Sequence, residues 1–216
     1  MILVCVGVFN RVIVPTLETA QEASRRTACQ TNMRKIAVAL LSYHDAYNSF
    51  PPPYTEDSDG NRLHSWRTLI LPFTDEGFEL YQTIDLGKAW DDPANQTAQG
   101  TELSLFRCPS TELAPCFTTY QAIVDPEGIF TPGALVSMVE IRDGVADTLL
   151  FSEFDPNQAV HWMQPNDRTR NDFLGLADAE VHKNGYNYAT ADGRVGFLMS
   201  GTDEESRISL INIASD

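Results

Sequence analysis

The sequence predicts an α+β fold: a long N-terminal helix packed on a small antiparallel sheet, with long loops between the elements. Three observations predict it. No Gly or Pro falls between Pro15 and Pro51, and Ala, Glu, Gln, Arg and Lys dominate residues 19–35, a helix-favouring composition. The second half of the chain carries short β-like runs, most clearly 186–191 and 194–199 around Asp192-Gly193, which is a hairpin signature. At 216 residues, 43% of them hydrophobic, the chain is long enough to bury a core without a covalent or metal staple.

The elements follow in order. Residues 1–14, MILVCVGVFNRVIV, form the most apolar window, uncharged until Asn10 and Arg11 interrupt it. It is shorter than the roughly 20 residues that span a bilayer and lacks the basic region and cleavage site of a secretory signal. The window reads as a shortened membrane segment or a buried helix. Over residues 16–47, Met33, Ile36, Ala37, Leu40, His44 and Tyr47 recur at three- and four-residue steps and define one apolar face. The helix is therefore expected to be exposed in its first half and packed in its second. It stops at Asn48-Ser49-Phe50, ahead of Pro51-Pro52-Pro53.

Two parts are expected: the helix in residues 1–48 and a globular α+β head in residues 49–216. Within the head, 57–61 is a turn, and Ser65 caps a short helix over 66–71. Residues 78–84 read as another short helix and 87–101 as loop. Strands are expected at 117–124, 148–154 and 160–163. Thr202 with Glu205 forms a capping box for a last helix over 203–212, although 207–213, RISLINI, would also pass as a strand.

The net charge of −15 is unevenly distributed: residues 1–35 carry +3 and residues 36–216 carry −18. An acidic body without a basic stripe repels phosphate backbones, which excludes nucleic acid as a partner. The sequence holds no nucleophile elbow, phosphate loop, zinc-protease motif or dinucleotide fingerprint, so no enzyme is expected. His44, His64, His161 and His182 are scattered, without the local spacing of a metal site.

Asp57, Asp59 and Asn61 invite a calcium reading, because alternating oxygen ligands open an EF-hand loop. Here Gly60 comes fourth instead of sixth, and Thr68 stands where the bidentate Glu belongs. A plain acidic turn is expected, and no other cofactor. Trp66, Trp90 and Trp162 are candidates for a ligand-stacking surface, the competing reading being ordinary packing. Cys5, Cys29, Cys108 and Cys116 make no CxxC pair. They are either buried thiols or contribute one disulfide. Cys108–Cys116 would clip a short loop, whereas Cys29–Cys108 would staple the helix to the head.

Several blocks in order resemble one family. They are PTLETAQEASRR at 15–26, Cys29, Asn32, Arg34-Lys35-Ile36, YHDAYNSFPP at 43–52, LHSWRTLILPF at 63–73 and Trp90-Asp91. FRCPS at 106–110, DGVADTLLFSE at 143–153, and His182 nine residues ahead of Asp192-Gly193 complete the series. The chain resembles the bacterial prepilin-like family called domain of unknown function 1559, with its His-x9-Asp-Gly signature at His182, Asp192 and Gly193. The resemblance implies a pilin-like fold and a pseudopilin-like structural subunit of a type II secretion or type IV pilus-like assembly. Its N-terminal helix would sit in the inner membrane and pack against like subunits or other pseudopilins, with the head in the periplasm or outside the cell. The family has also carried an extracellular solute-binding label, which implies the alternative of an envelope-anchored solute- or carbohydrate-binding module. Members begin with a basic leader and a Gly-Phe-Thr-Leu-x-Glu processing site, whereas this sequence starts within the apolar helix and carries Asn10-Arg11 there. The resemblance leaves the hairpin signature a structural part, with Asp192 and Gly193 at positive-φ positions and His182 tethering the incoming strand.

Overall fold

The computed structural model describes residues 14–178 and 180–214. The apolar window 1–14 and Cys5 therefore lie outside the described residues, apart from Val14. Among the described residues no helix is long and apolar enough to cross a membrane.

Helix α1 (Val14–Tyr47) runs 34 residues, about 51 Å at 1.5 Å per residue. From Glu18 to Ala28 its side chains are exposed or half-buried, and from Cys29 onward one face is fully buried. Cys29, Met33, Ile36, Ala37 and Leu40 are wholly inaccessible, as the three- and four-residue periodicity requires. Tyr47 departs from that expectation. It is exposed, and covers Tyr43 and the edge of Phe73 at the rim of the core. Asn48 stops the helix in the left-handed conformation (φ 59°), its N–H donating to the His44 carbonyl at 2.7 Å.

The head opens with a two-stranded ribbon, β1 (Tyr54–Glu56) against β2 (Arg62–Ser65). Ser65 then caps α2 (Trp66–Leu69), accepting the Arg67 N–H at 3.2 Å. The short helix α3 (Phe78–Tyr81) follows. Residues 87–101, expected as loop, instead hold a 3-10 turn (Pro93–Asn95) running into α4 (Gln96–Gln99). The physical reason lies in Asp92-Pro93: the carboxylate accepts the Ala94 N–H at 2.9 Å and proline occupies the first helical turn, where it costs no hydrogen bond.

Strands β3 (Phe117–Thr118) and β6 (Val160–His161) pair with each other. The principal sheet comprises β4 (Tyr120–Val124), β5 (Leu149–Glu153), β7 (Arg168–Thr169), β8 (Gly185–Thr190) and β9 (Val195–Met199), in the order β7-β4-β5-β8-β9. It is antiparallel except at one edge, where β7 runs parallel to β4. The sheet is antiparallel as expected in three of its four pairings and parallel in the fourth. Helix α5 (Arg170–Leu174) follows β7, and α6 (Glu204–Ile211) closes the chain. RISLINI is thus helical through Ile211, and Asp203 supplies the cap in place of Thr202, its carboxylate accepting the Ser206 N–H at 2.8 Å.

The β8–β9 turn spans three residues, because Thr190 N–H donates to the Arg194 carbonyl and Gly193 N–H to that of Thr190. Gly193 alone has positive φ (84°); Asp192 does not, and its side chain accepts the Thr190 hydroxyl and the Arg194 N–H. A type I turn closed by a left-handed glycine gives this pattern.

Arg67 and Asp167 tie α2 to the sheet. Both side chains are almost completely buried, with Arg67 Nη1 and Nη2 donating to the carboxylate at 2.7 and 3.3 Å. The guanidinium also donates to the carbonyls of Trp162, Tyr120 and Gln164. Asp167 Oδ1 in turn accepts the indole N–H of Trp66 and the N–H of Ala122.

Candidate functional site

The register of the sheet places one row of side chains across four strands. Tyr120 on β4 lies opposite Glu153 on β5, and Asn187 on β8 lies opposite Phe197 on β9. The antiparallel pairing of Ser152 with Tyr188 carries Glu153 beside Asn187. This row meets the middle of α1. Arg26 lies over the Phe197 ring at 3.5 Å, Gln30 donates to the Asn187 side chain at 3.1 Å, and Cys29 reaches Tyr120 and Glu153.

Two thiols, a carboxylate and an imidazole converge there. The Cys29 thiol donates to Glu153 Oε1 at 2.7 Å and shares a 3.0 Å contact with the Tyr120 hydroxyl. His182 Nε2 lies 3.3 Å from Glu153 Oε2 and 3.7 Å from Cys108 Sγ. The ligand atoms of Cys29, Cys108, Glu153 and His182 all fall within 4.8 Å of one another, and all four residues are buried. Around them stands a second set of partners. Glu22 on α1 accepts His182 Nδ1–H at 2.8 Å through Oε1, and also binds the Ser110 hydroxyl and Arg25. Asn187 donates both its backbone N–H and its side-chain amide to Glu153 Oε2, each at 2.8 Å.

The electrostatics follow from this packing. Burial opposes a charged His182, yet its bonds to Cys108, Glu153 and Glu22 push its pKa up to about 10. Burial likewise works to raise Glu153, but the hydrogen bond and charge of His182, then Cys29 and the Asn187 N–H, hold it below the usual carboxylate range. Desolvation, then Cys108 and Glu153, push the Cys29 thiol far up. Cys108 moves the other way: its bond to Cys29 outweighs burial, and His182 adds to the lowering. The site thus holds a carboxylate, an imidazole with its Nε2 turned inward and two buried thiols.

Sequence reasoning placed two of these residues together for a different purpose. Cys29 and Cys108 do meet, but as free thiols, and Cys116 is a free buried thiol as well. Of the two readings of the cysteines, buried thiols or one disulfide, the structure has the thiols: neither candidate pair is bonded. His182 belongs to the cluster through its ring, while its backbone pairs with Gly185 ahead of β8. Asp192 and Gly193 lie at the far end of that strand, in the turn. Glu153 and Glu22 were missed. The signal for Glu153 was present, since a carboxylate ends the β-like run LLFSE two residues after Phe151, where burial demands a partner.

The remaining candidates resolve into architecture. Trp66 packs on Phe130 and Phe151, Trp162 stacks on Phe106, and both are buried. Trp90 sits against His161. The three indoles do not form a joint stacking surface, because the core consumes two of them. The Asp57 carboxylate is engaged by its own loop, accepting the N–H groups of Asp59 and Asn61 and the Asn61 amide, each at 2.9 Å.

The molecule is an α+β protein whose long helix is fastened to its sheet by a buried polar cluster. A family model described as a protein of unknown function (DUF1559) matches residues 18–181, and the chain belongs to that family. The match covers Glu22, Cys29, Cys108 and Glu153 and ends one residue before His182. No curated protein and no solved structure matches the chain.

Proposed function

We propose that the protein is a pseudopilin-like, non-enzymatic structural subunit with a pilin-like architecture. Its N-terminal helix anchors it in the cell envelope and packs against like helices, and its acidic head faces the periplasm or the exterior. The observation that carries this reading is the two-part character of α1. Residues 29–40 are built into the head's core, whereas exposed residues such as Glu18 and Gln21 lead back toward the apolar window 1–14. Such a rod ties an apolar end to a solvated body. Apolar helices associate in lipid by side-chain packing, which supplies the assembly step.

The test is fractionation of cells making the full chain, combined with disulfide cross-linking of Glu18→Cys and Gln21→Cys variants. Membrane-associated protein with cross-links between copies, or to another envelope protein, is expected. Full-length chain recovered wholly from the soluble fraction, without cross-links, would refute the proposal.

A further inference from the structure

We propose that Cys29, Cys108, Glu153 and His182 form a closed binding site for one divalent transition-metal ion of the zinc class. The inference is independent of the proposed place of the protein in the envelope. Tetrahedral zinc with bonds of about 2.0–2.3 Å sets its ligand atoms roughly 3.3–3.8 Å apart. The separations of His182 Nε2 from Glu153 Oε2, 3.3 Å, and from Cys108 Sγ, 3.7 Å, already match such edges. All four ligand atoms lie within 4.8 Å of one another in a buried volume, so a central ion reaches each with small side-chain movements.

The donor chemistry selects the metal. Two sulfurs and an imidazole favour zinc and its soft or borderline neighbours, whereas calcium and magnesium take oxygen shells. Four protein donors leave no position for a substrate, which makes the site structural.

An independent observation points the same way. A metal-bound histidine characteristically donates its other ring N–H to a carboxylate or carbonyl, which fixes the tautomer and aims the free nitrogen at the ion. Glu22 Oε1 does this to His182 Nδ1 at 2.8 Å, leaving Nε2 turned into the cluster. Asn187 fixes Glu153 through two 2.8 Å hydrogen bonds, and the Tyr120 hydroxyl stands 3.0 Å from Cys29 Sγ. On metal binding the two thiol protons and any proton on Nε2 pass to solvent, and the four lone pairs turn to the ion. The ion then joins four segments distant in sequence: α1 through Cys29, the loop before β3 through Cys108, the end of β5 through Glu153, and the approach to β8 through His182.

The experiment uses the full chain, purified without chelator and analysed by mass spectrometry for bound metal, then stripped and titrated with cobalt(II) under reducing conditions. Roughly one zinc per chain is expected. Cobalt should give a thiolate-to-metal charge-transfer band in the near ultraviolet and intense visible bands of tetrahedral coordination. Cys29→Ser, Cys108→Ser and His182→Ala should each lose or markedly weaken these bands, whereas Cys116→Ser keeps them. Since loss of folding in the first three variants would imitate loss of the ion, the wild-type cobalt spectrum and the Cys116→Ser control decide by themselves. Absence of cobalt-thiolate bands in the folded wild type would overturn the proposal, as would their loss on Cys116→Ser. A Cys29–Cys108 disulfide in protein isolated without reductant would also overturn it.

Discussion

Replacing Asp167 by Ala tests a buried ion pair that several elements of the head share. The substitution removes both carboxylate bonds from the Arg67 guanidinium, at 2.7 and 3.3 Å. It also strips the Trp66 indole N–H of its 3.1 Å acceptor and the Ala122 N–H of its 2.8 Å acceptor. Three carbonyls still surround the cation, but no negative charge does, and the side chain has no access to water. Leaving one member of a buried ion pair uncompensated costs about 3–5 kcal/mol. In a chain of this size each kcal/mol moves the melting temperature by about 2–4 °C, so a fall of roughly 6–20 °C is expected. Calorimetry or urea denaturation of the full chain measures it. Arg67→Met combined with Asp167→Leu should cost less than Asp167→Ala alone, because it removes the charge together with its partner. A loss below about 1 kcal/mol for Asp167→Ala, the value of an exposed pair, would refute the reasoning.

Three further outcomes are expected. Leu40→Ala, at a wholly buried position of α1, should lower stability by about 2–5 kcal/mol in urea denaturation, by lost apolar burial plus the cavity left behind. Gly185→Ala should be more disruptive than a typical surface change. Gly185 has φ 151°, and a Cβ there would sit 2.0 Å from the Leu198 carbonyl oxygen, so β8 and β9 must separate locally; hydrogen exchange across the hairpin should accelerate. The Asp125–Arg170 pair should support the fold in a pH-dependent way. Burial works to raise Asp125, but the hydrogen bond from Arg170, the Glu127 N–H and the Arg170 charge together hold it below the usual carboxylate range. A carboxyl group lowered on folding stabilises above its unfolded pKa of about 3.9, and that stability is lost as pH falls through the lower folded value. Asp125→Asn should therefore flatten the decline in stability below about pH 4, and an unchanged acid limb would contradict it.

The legible parts of the fold were those dictated by local chemistry. Helix α1 announces itself by composition and by the step from Met33 to Leu40, and its end by Asn48 and the prolines. Ser65 ahead of Trp66, and Asp192-Gly193 between two β-like runs, mark their elements through hydrogen bonds made within a few residues. Asp92-Pro93 carried a start signal too, but short polar neighbours hid the helix behind it. The parallel pairing of β7 with β4 was not legible, because two-residue Arg168–Thr169 has no strand period to read.

The candidate site shows the same division. The approach of Cys29 to Cys108 was within reach of cysteine arithmetic, but the arithmetic proposes disulfides. His182 stood out only as part of a signature whose other half lies at the opposite end of β8. The cluster exists because the register of β4, β5 and β8 sets Tyr120, Glu153 and Asn187 in one row under α1. No spacing along the chain encodes that row.

The continuity of α1 has a mechanical consequence. No glycine or proline interrupts residues 16–50, so the rod has no built-in hinge between its exposed portion and the portion embedded in the head. A pull along its axis reaches β9, β5 and β8 through Arg26, Cys29 and Gln30, three attachments set within two turns of one helix, so that they share the load. Head and rod then behave as one stiff lever, in which tilting either end swings the other.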